Sequence, residues 1–447
     1  MGHAAVRADR AAAVVAAGRV RRRRLDLATS PGRLRLLLAG LVLLSLAWGA
    51  LAAFTVVQYQ SAASGVVSTS EPLSLAAQQI YSRLSDANDA ATTAFLTGGI
   101  EPAATRQRYL LDIAAASAGI ESATAEGGGD TGAAAQDLAT LAADLPTYTQ
   151  EMGNADADNR LALPLGAAYL REASGLMRGT LLQKADDLYA AENASLGGTS
   201  AQATGLPLIC VTLAVGLAAG YALYRASRWL RGRTNRVLNV GLIAAGLALV
   251  LSLAWLAAAY LGARGDLLHA QARGSATVEA AAQVGIAAQE AHADESLTLI
   301  DNTGPDAYQT DYTTQQRALG PGPGTLLTAA STAASGSPAA PAVAAAISEA
   351  GAWFTAHGRV RSLDDNGQHQ AAVSSALGTG PGDAGASFAR LSDDLATAIA
   401  SDQAVFNSTA GSAAGAYTGL EAGVIVVSLL MAAACALGVS RRLAEYR

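Results

Sequence analysis

The side chains able to do chemistry are few and widely spaced. His292 and Glu295 are three residues apart, so a helix would place both on one face, and His357 and His369 follow later in the same half of the chain. These donor types suit a metal, but a closed site needs four converging ligands. The matching positions in the first half are Asp86 and Asp89. The expectation is therefore solvated helix surface and no metal site. A second set is cationic. Arg83, Arg106, Arg108 and Lys184 lie within an acidic stretch, and a planar guanidinium pairs bidentately with a carboxylate. They are the candidate ligand-binding residues. The alternative is that each one pairs with a neighbouring Asp or Glu.

A third set lies near the middle of the chain. Arg225, Arg228, Arg231, Arg233 and Arg236 fall within twelve residues that also hold Trp229 and no acid. Long apolar runs flank them on both sides, as in a short cytoplasmic turn between two membrane helices. Orientation explains the arginines first, and interfacial anchoring explains Trp229. The sharper expectation is a docking segment for a cytoplasmic partner.

Catalytic machinery is missing from the pattern. Lys184 is the only lysine, no Gly-Lys-Ser/Thr follows a glycine-rich loop, and no Gly-x-Ser-x-Gly elbow occurs. Gly320-Pro321-Gly322-Pro323-Gly324 interrupts helical sequence and follows no strand, so it is not a dinucleotide fingerprint. No catalytic residue, cofactor or enzymatic role is expected, and nothing calls for nucleic acid.

The elements that carry these residues can be read from hydropathy and charge. Four runs, at 34–57, 206–224, 237–261 and 420–439, are long enough to span a bilayer. Residues 1–33 hold eight arginines and two acids, whereas 58–205 hold seven basic and seventeen acidic residues and 262–419 hold six and fifteen. The positive-inside rule then places 1–33, 225–236 and the tail 440–447 in the cytoplasm, with both acidic blocks outside. Cys210 and Cys435 both fall in apolar runs, so no disulfide framework holds the exterior. The expected fold is all-α: an integral membrane protein with four membrane helices and two tandem four-helix-bundle-like extracytoplasmic domains.

Tyr59, Ala63, Val66, Ser70, Leu73, Ala77, Ile80, Leu84, Ala87, Ala91 and Ala94 keep a spacing of four and three, in phase with the first membrane run. Pro72 predicts a kink or restart, with Ser70 as a cap. Gly98-Gly99 ends that helix, Glu101-Pro102 opens another, and Gly127-Gly128-Gly129-Asp130 makes a turn. Residues 154–160 read as a loop. In the second block helices are expected at 266–302, 306–319, 341–358 and 384–415. Leu44-Ser45-Leu46-Ala47-Trp48 recurs as Leu251-Ser252-Leu253-Ala254-Trp255, Thr97-Gly98 as Thr303-Gly304, and Asp158-Asn159 as Asp365-Asn366, at offsets of 206–207. A shared offset through a membrane run and an exterior block predicts internal duplication. The two halves could then pair as an intramolecular pseudo-dimer.

The exterior pattern resembles the four-helix-bundle sensor domains of chemoreceptors and sensor kinases. Four passes, two helical exterior domains and very short cytoplasmic segments together resemble the actinobacterial four-pass membrane sensor of the GlnX type. That resemblance implies signal transduction between an extracytoplasmic amino-acid-binding lipoprotein and a separate cytoplasmic serine/threonine kinase. The competing classes are an envelope scaffold or transporter accessory subunit, and a direct small-molecule receptor.

Overall fold

The structure is a computed structural model that describes residues 30–126, 132–234, 239–301 and 307–444. The expected turn at Gly127-Gly128-Gly129-Asp130, the Thr303-Gly304 pair and most of the basic N-terminal segment lie outside these residues. All regular structure among the described residues is helical: α1 Ser30–Gly65, α2 Glu71–Thr97, α3 Ala103–Glu126, α4 Ala133–Arg160, α5 Leu165–Leu176, α6 Leu182–Thr204, α7 Pro207–Thr234, α8 Val240–Ala270, α9 Ala276–Ile300, α10 Ala307–Leu319, α11 Leu326–Ala333, α12 Ala340–Asp365, α13 His369–Leu377, α14 Ala384–Gly415 and α15 Leu420–Ala444. Four continuous helical stretches are long and apolar enough to cross a bilayer. The protein is a multi-pass membrane protein.

The chain folds as two compact units. One comprises Met1–Val56, Pro207–Ala257 and Gly419–Arg447, and the other comprises Val57–Leu206 and Ala258–Thr418. In the first unit, small residues let helices approach closely, which is how helices associate where lipid supplies no hydrophobic drive. A Cβ on Gly216 would stand 2.6 Å from Trp48 Nε1, and one on Gly423 would stand 2.5 Å from the Trp255 ring. Gly49 abuts Ser428 and Gly241 abuts Gly438, while Gly40 and Gly246 face open space. Thr55 and Thr212 share a hydrogen bond of 2.7 Å, and Asn239 Nδ2 donates to the Gly438 carbonyl at 3.0 Å. Cys210 and Cys435 are free thiols.

The second unit holds both acidic blocks. The first block follows the expected plan of a long helix, two shorter ones and a long return: α2, α3, α4, then α5 and α6. Alanine and leucine at a spacing of four and three bury one face of each, including Ile80, Leu84, Ile120, Leu141, Tyr148, Leu170, Met177 and Leu188. Gly98 and Gly99, at φ of 69° and 64°, take the left-handed backbone that stops α2. The second block repeats the plan with two extra short helices, α11 and α13, around a core of Trp353, Tyr312, Phe388 and a run of alanines.

Two local expectations are corrected. Residues 154–160 complete α4 and form no loop. Arg160 supports this last turn by pairing with Asp156 at 2.7 Å and Glu101 at 3.2 Å, and Asn159 Nδ2 donates to the Phe95 carbonyl at 2.9 Å. Of the kink or restart expected at Pro72, the backbone shows no separate helix start, since helical structure runs on from Gly32 to Thr97, and the side chain of Ser70, the expected cap, lies outside what is described. Instead Val66–Ser70 form a single π-turn between α1 and α2, just before Pro72. Gln271–Ser275 form the same π-turn between α8 and α9 in the second repeat, where no proline occurs. There Gly274 lies against the Phe406 backbone. Both ascending helices thus carry a π-turn at the equivalent place.

The descending helices behave differently. α6 stops at Thr204, with Gly205 extended, before Pro207 opens α7. Pro207 has no N–H to donate back, so the last carbonyls need other donors. Tyr59 Oη donates to Gly205 O at 2.5 Å, Tyr260 Oη lies 2.9 Å from both Thr204 O and Gly205 O, and Arg264 Nε donates to Thr204 O at 3.1 Å. Tyr417 stacks on Tyr59 at 6.4 Å. α14 ends similarly, with Gly419 at φ 76° before α15.

Candidate functional site: a buried polar seam between the repeats

The first helices of the two repeats, α2 and α9, pack against each other within the second unit. α9 is buried on nearly every side from Ala287 to Leu299, because small residues such as Ala287, Ala288, Ala291 and Ala293 admit neighbours all round. His292 and Glu295 sit in that stretch at 6% and 1% exposure. They do not lie on a solvated surface, as the sequence suggested. Glu279, Gln283, Glu290 and Asp294 make one polar stripe along α9, and nothing in the residue spacing marks the other side, which carries His292 and Glu295, as buried.

Each buried group has a partner. His292 Nδ1 meets Asp89 Oδ1 of the first repeat at 2.5 Å, and its ring stacks on Phe388 with centroids 3.9 Å apart. Glu295 accepts from His357 Nδ1 at 2.8 Å and from Trp353 Nε1 at 3.3 Å. The His357 ring stacks on Tyr312 at 3.5 Å, and its Nε2 is 3.4 Å from Gln309 Nε2. His369 is separate and pairs with Asp364 at 2.8 Å. Among the described residues no group of three or more His, Cys, Asp or Glu is placed to hold a metal.

From Asp89 the seam continues into the first repeat. Arg108 Nη2 lies 2.6 Å from Asp86 and 3.7 Å from Asp89, and its Nε lies 4.0 Å from Asp112. Arg83 Nη1 donates to Asp112 Oδ1 at 2.9 Å. Further links join the repeats, among them Arg178 Nη1 to Asp294 at 2.6 Å, Tyr81 Oη to Glu290 at 3.1 Å and Arg171 Nη1 to Asp301 at 3.4 Å. Gln315 Nε2 also donates to Glu290, at 2.7 Å.

Burial dominates the electrostatics. It pushes the Asp294 carboxyl up to about 7, because desolvation outweighs the attraction of Arg178, and Asp311 and Glu290 add to the rise. Burial alone would lower the His292 pKa. The adjacent Asp89, by charge and hydrogen bond, and then Glu295 raise it above the ordinary imidazole value, against a smaller opposing effect of Arg108. Asp86 and Asp112 are also raised, burial again being the largest cause. Oδ2 of Asp89 and Oδ2 of Asp112 are buried and accept no hydrogen bond. The seam therefore holds charge at a cost and is suited to setting register between helices.

The four candidate carboxylate-binding residues do not converge. Arg83 and Arg108 share Asp112, Arg106 pairs with Glu101 at 3.5 Å, and Lys184 pairs with Asp137 at 3.1 Å and Asp187 at 2.8 Å. In the first unit, α7 runs on through Thr234, so most of the basic segment is helix where a turn was expected. Arginine, alanine, leucine and tryptophan sustain helix with no proline to stop them. Arg225, Arg228 and Arg231 are exposed on it and Trp229 is half-buried. The Arg233 side chain and Arg236 lie outside the described residues.

Residues 62–201 match the family described as an actinobacterial sensor domain. The sensor-domain match runs from the end of α1 to the last turns of α6, so it takes in most of the first acidic block, including Asp86, Asp89, Arg108 and Asp112. The description of that family is one of sensing. No curated protein and no solved structure matches the chain.

Proposed function

We propose that the protein is a transmembrane signal transducer whose two acidic repeats receive an extracytoplasmic input and whose basic segments are read by a separate cytoplasmic protein. The sensor-domain match over 62–201 is the observation that carries this reading. Charge supports the orientation, with the repeats outside and Arg225, Arg228, Trp229, Arg231, Arg233 and Arg236 inside. Helical backbone running from the first span to Thr97 gives a mechanical route to the seam. A shift of α2 against α9 trades one set of buried charge contacts for another, which favours discrete states over gradual deformation.

The input in this proposal is an amino-acid-binding protein loaded with ligand, and the output is a serine/threonine kinase docked on the helical arginines. The full-length protein in nanodiscs is incubated with envelope extract, with and without aspartate, glutamate, asparagine or glutamine. Capture of a binding protein that depends on amino acid is expected. Unchanged capture sinks the input half. Replacing Arg231 and Arg233 by glutamine, with insertion checked, is expected to abolish kinase recruitment. Intact recruitment would leave these arginines as topology signals.

A further inference from the structure

A cleft of ≈ 250 Å³ opens between the repeats, walled by α2 and α6 of the first and by α9 and Leu326 of α11 of the second. Asp186, Glu279 and Glu290 line it together with Tyr81, Tyr189 and Gln78, and its wall contains no lysine, arginine or histidine. Glu279 takes hydrogen bonds from Tyr189 and, at 3.5 Å, from Asn193, but among the described residues no ion pair reaches Glu279 or Asp186. Gln78 is 9% exposed and lines the cleft, yet its amide has no hydrogen-bond partner among the described residues. An amide that opens on the cleft without a protein partner is satisfied by whatever occupies that space.

We propose that this cleft binds a small organic cation that carries ammonium groups and no carboxylate, of the short-diamine class. Three carboxylates offer charge-assisted acceptors for N⁺–H donors, and two tyrosine rings offer faces for a cation. A ligand carboxylate would meet no cation in the wall. A bare metal ion is disfavoured by spacing, since no three His, Cys, Asp or Glu among the described residues are grouped to hold one. The volume falls below the usual range for drug-sized ligands, which suits a compact molecule. Burial also raises the Glu290 carboxyl, against Tyr81 and Arg178, with Asp186 adding to the rise. That is the condition of an acid lacking a full counter-charge, and an ammonium ligand supplies it. Occupancy would hold α2, α6 and α9 together, so the cleft is also a way to bias the seam; only this consequence rests on the sensor reading above.

The test is calorimetric titration of full-length protein in nanodiscs with putrescine. Saturable binding of one ligand per chain is expected. Asp186→Asn with Glu279→Gln, both on accessible side chains, is expected to weaken it by about tenfold or more while melting stays unchanged. Ile286→Trp, which fills the cleft and leaves its charges in place, should abolish it. No saturable heat, equal affinity in the charge variant, or equal competition by calcium or glutamate would overturn the assignment. Binding without any effect on kinase recruitment would instead sink the sensor reading and leave the cation site standing.

Discussion

Asp89 of the first repeat and His292 of the second meet at 2.5 Å with 1% and 8% of their side chains exposed. Both repeats therefore contribute to one closed charge pair. Removing one member leaves the other buried and uncompensated, a loss of roughly 3–5 kcal/mol, whereas replacing both by apolar groups is often close to neutral. Asp89→Ala should lower unfolding stability by about 3 kcal/mol, and Asp89→Leu with His292→Leu should recover most of it. Chemical denaturation in detergent measures both. An Asp89→Ala loss no larger than that of the exposed control Asp393→Ala would remove the pair from the account of the seam.

The same seam sets a pH dependence with a definite sign. Asp294, facing Arg178, Asp311 and Glu290, titrates near 7 in the folded protein against an ordinary 3.8. His292, facing Asp89, Glu295 and Arg108, is also raised. Both groups hold protons more tightly when folded than unfolded, so each contributes stability that is present at low pH and lost as pH rises through its folded value. Melting temperature should therefore fall between pH 5.5 and pH 8. Asp294→Asn should flatten the part of that fall near neutrality. A melting temperature that climbs over this range would contradict the assignment.

Helix existence and the duplication were legible because small and apolar residues recur at helical spacing and the offset of 206–207 holds across membrane and exterior segments. The seam was not legible. His292 and Glu295 look like surface residues, since the helix that buries them is covered by neighbours supplied from distant stretches, Asp89 in one repeat and His357, Trp353 and Phe388 in the other. That Arg83, Arg108 and Lys184 pair with acids was the alternative open in the sequence, but which acids they meet was not legible. Asp112, which joins the two arginines, lies on a helix face whose burial depends on α2. Residues 154–160 read as a loop because their helical support comes from Glu101 and the Phe95 carbonyl, remote in sequence.

Trp48 lies on Gly216 and Trp255 lies on Gly423, and both pairs are related by the repeat offset of 207. The surroundings differ, because Trp48 is wholly buried while Trp255 is 47% exposed. An added methyl at Gly216 meets the end of the Leu253 side chain and Nε1 of the wholly buried Trp48, and overpacking against a buried ring costs about 1–3 kcal/mol. At Gly423 the indole can swing outward. Gly216→Ala should lower thermal stability in nanodiscs distinctly more than Gly423→Ala. Equal effects would mean that the equivalence of the two contacts outweighs their difference in burial.

The break between α6 and α7 exposes carbonyls that only distant donors satisfy. Tyr260 reaches Thr204 and Gly205 together, and Tyr59 reaches Gly205 from the opposite repeat boundary. Each hydroxyl contributes on the order of 1 kcal/mol, and an orphaned carbonyl costs somewhat more. Tyr260→Phe leaves Thr204 with Arg264 and Gly205 with Tyr59, so its effect alone should be small. Tyr59→Phe with Tyr260→Phe removes both hydroxyls from Gly205, and the double loss should exceed the sum of the single ones. Amide exchange at the end of α6 should accelerate in the double variant and hardly at all in either single one. Strict additivity would show that the carbonyls are satisfied by water, and that the tyrosines contribute through ring packing, including the 5.0 Å contact of Tyr59 with Tyr260.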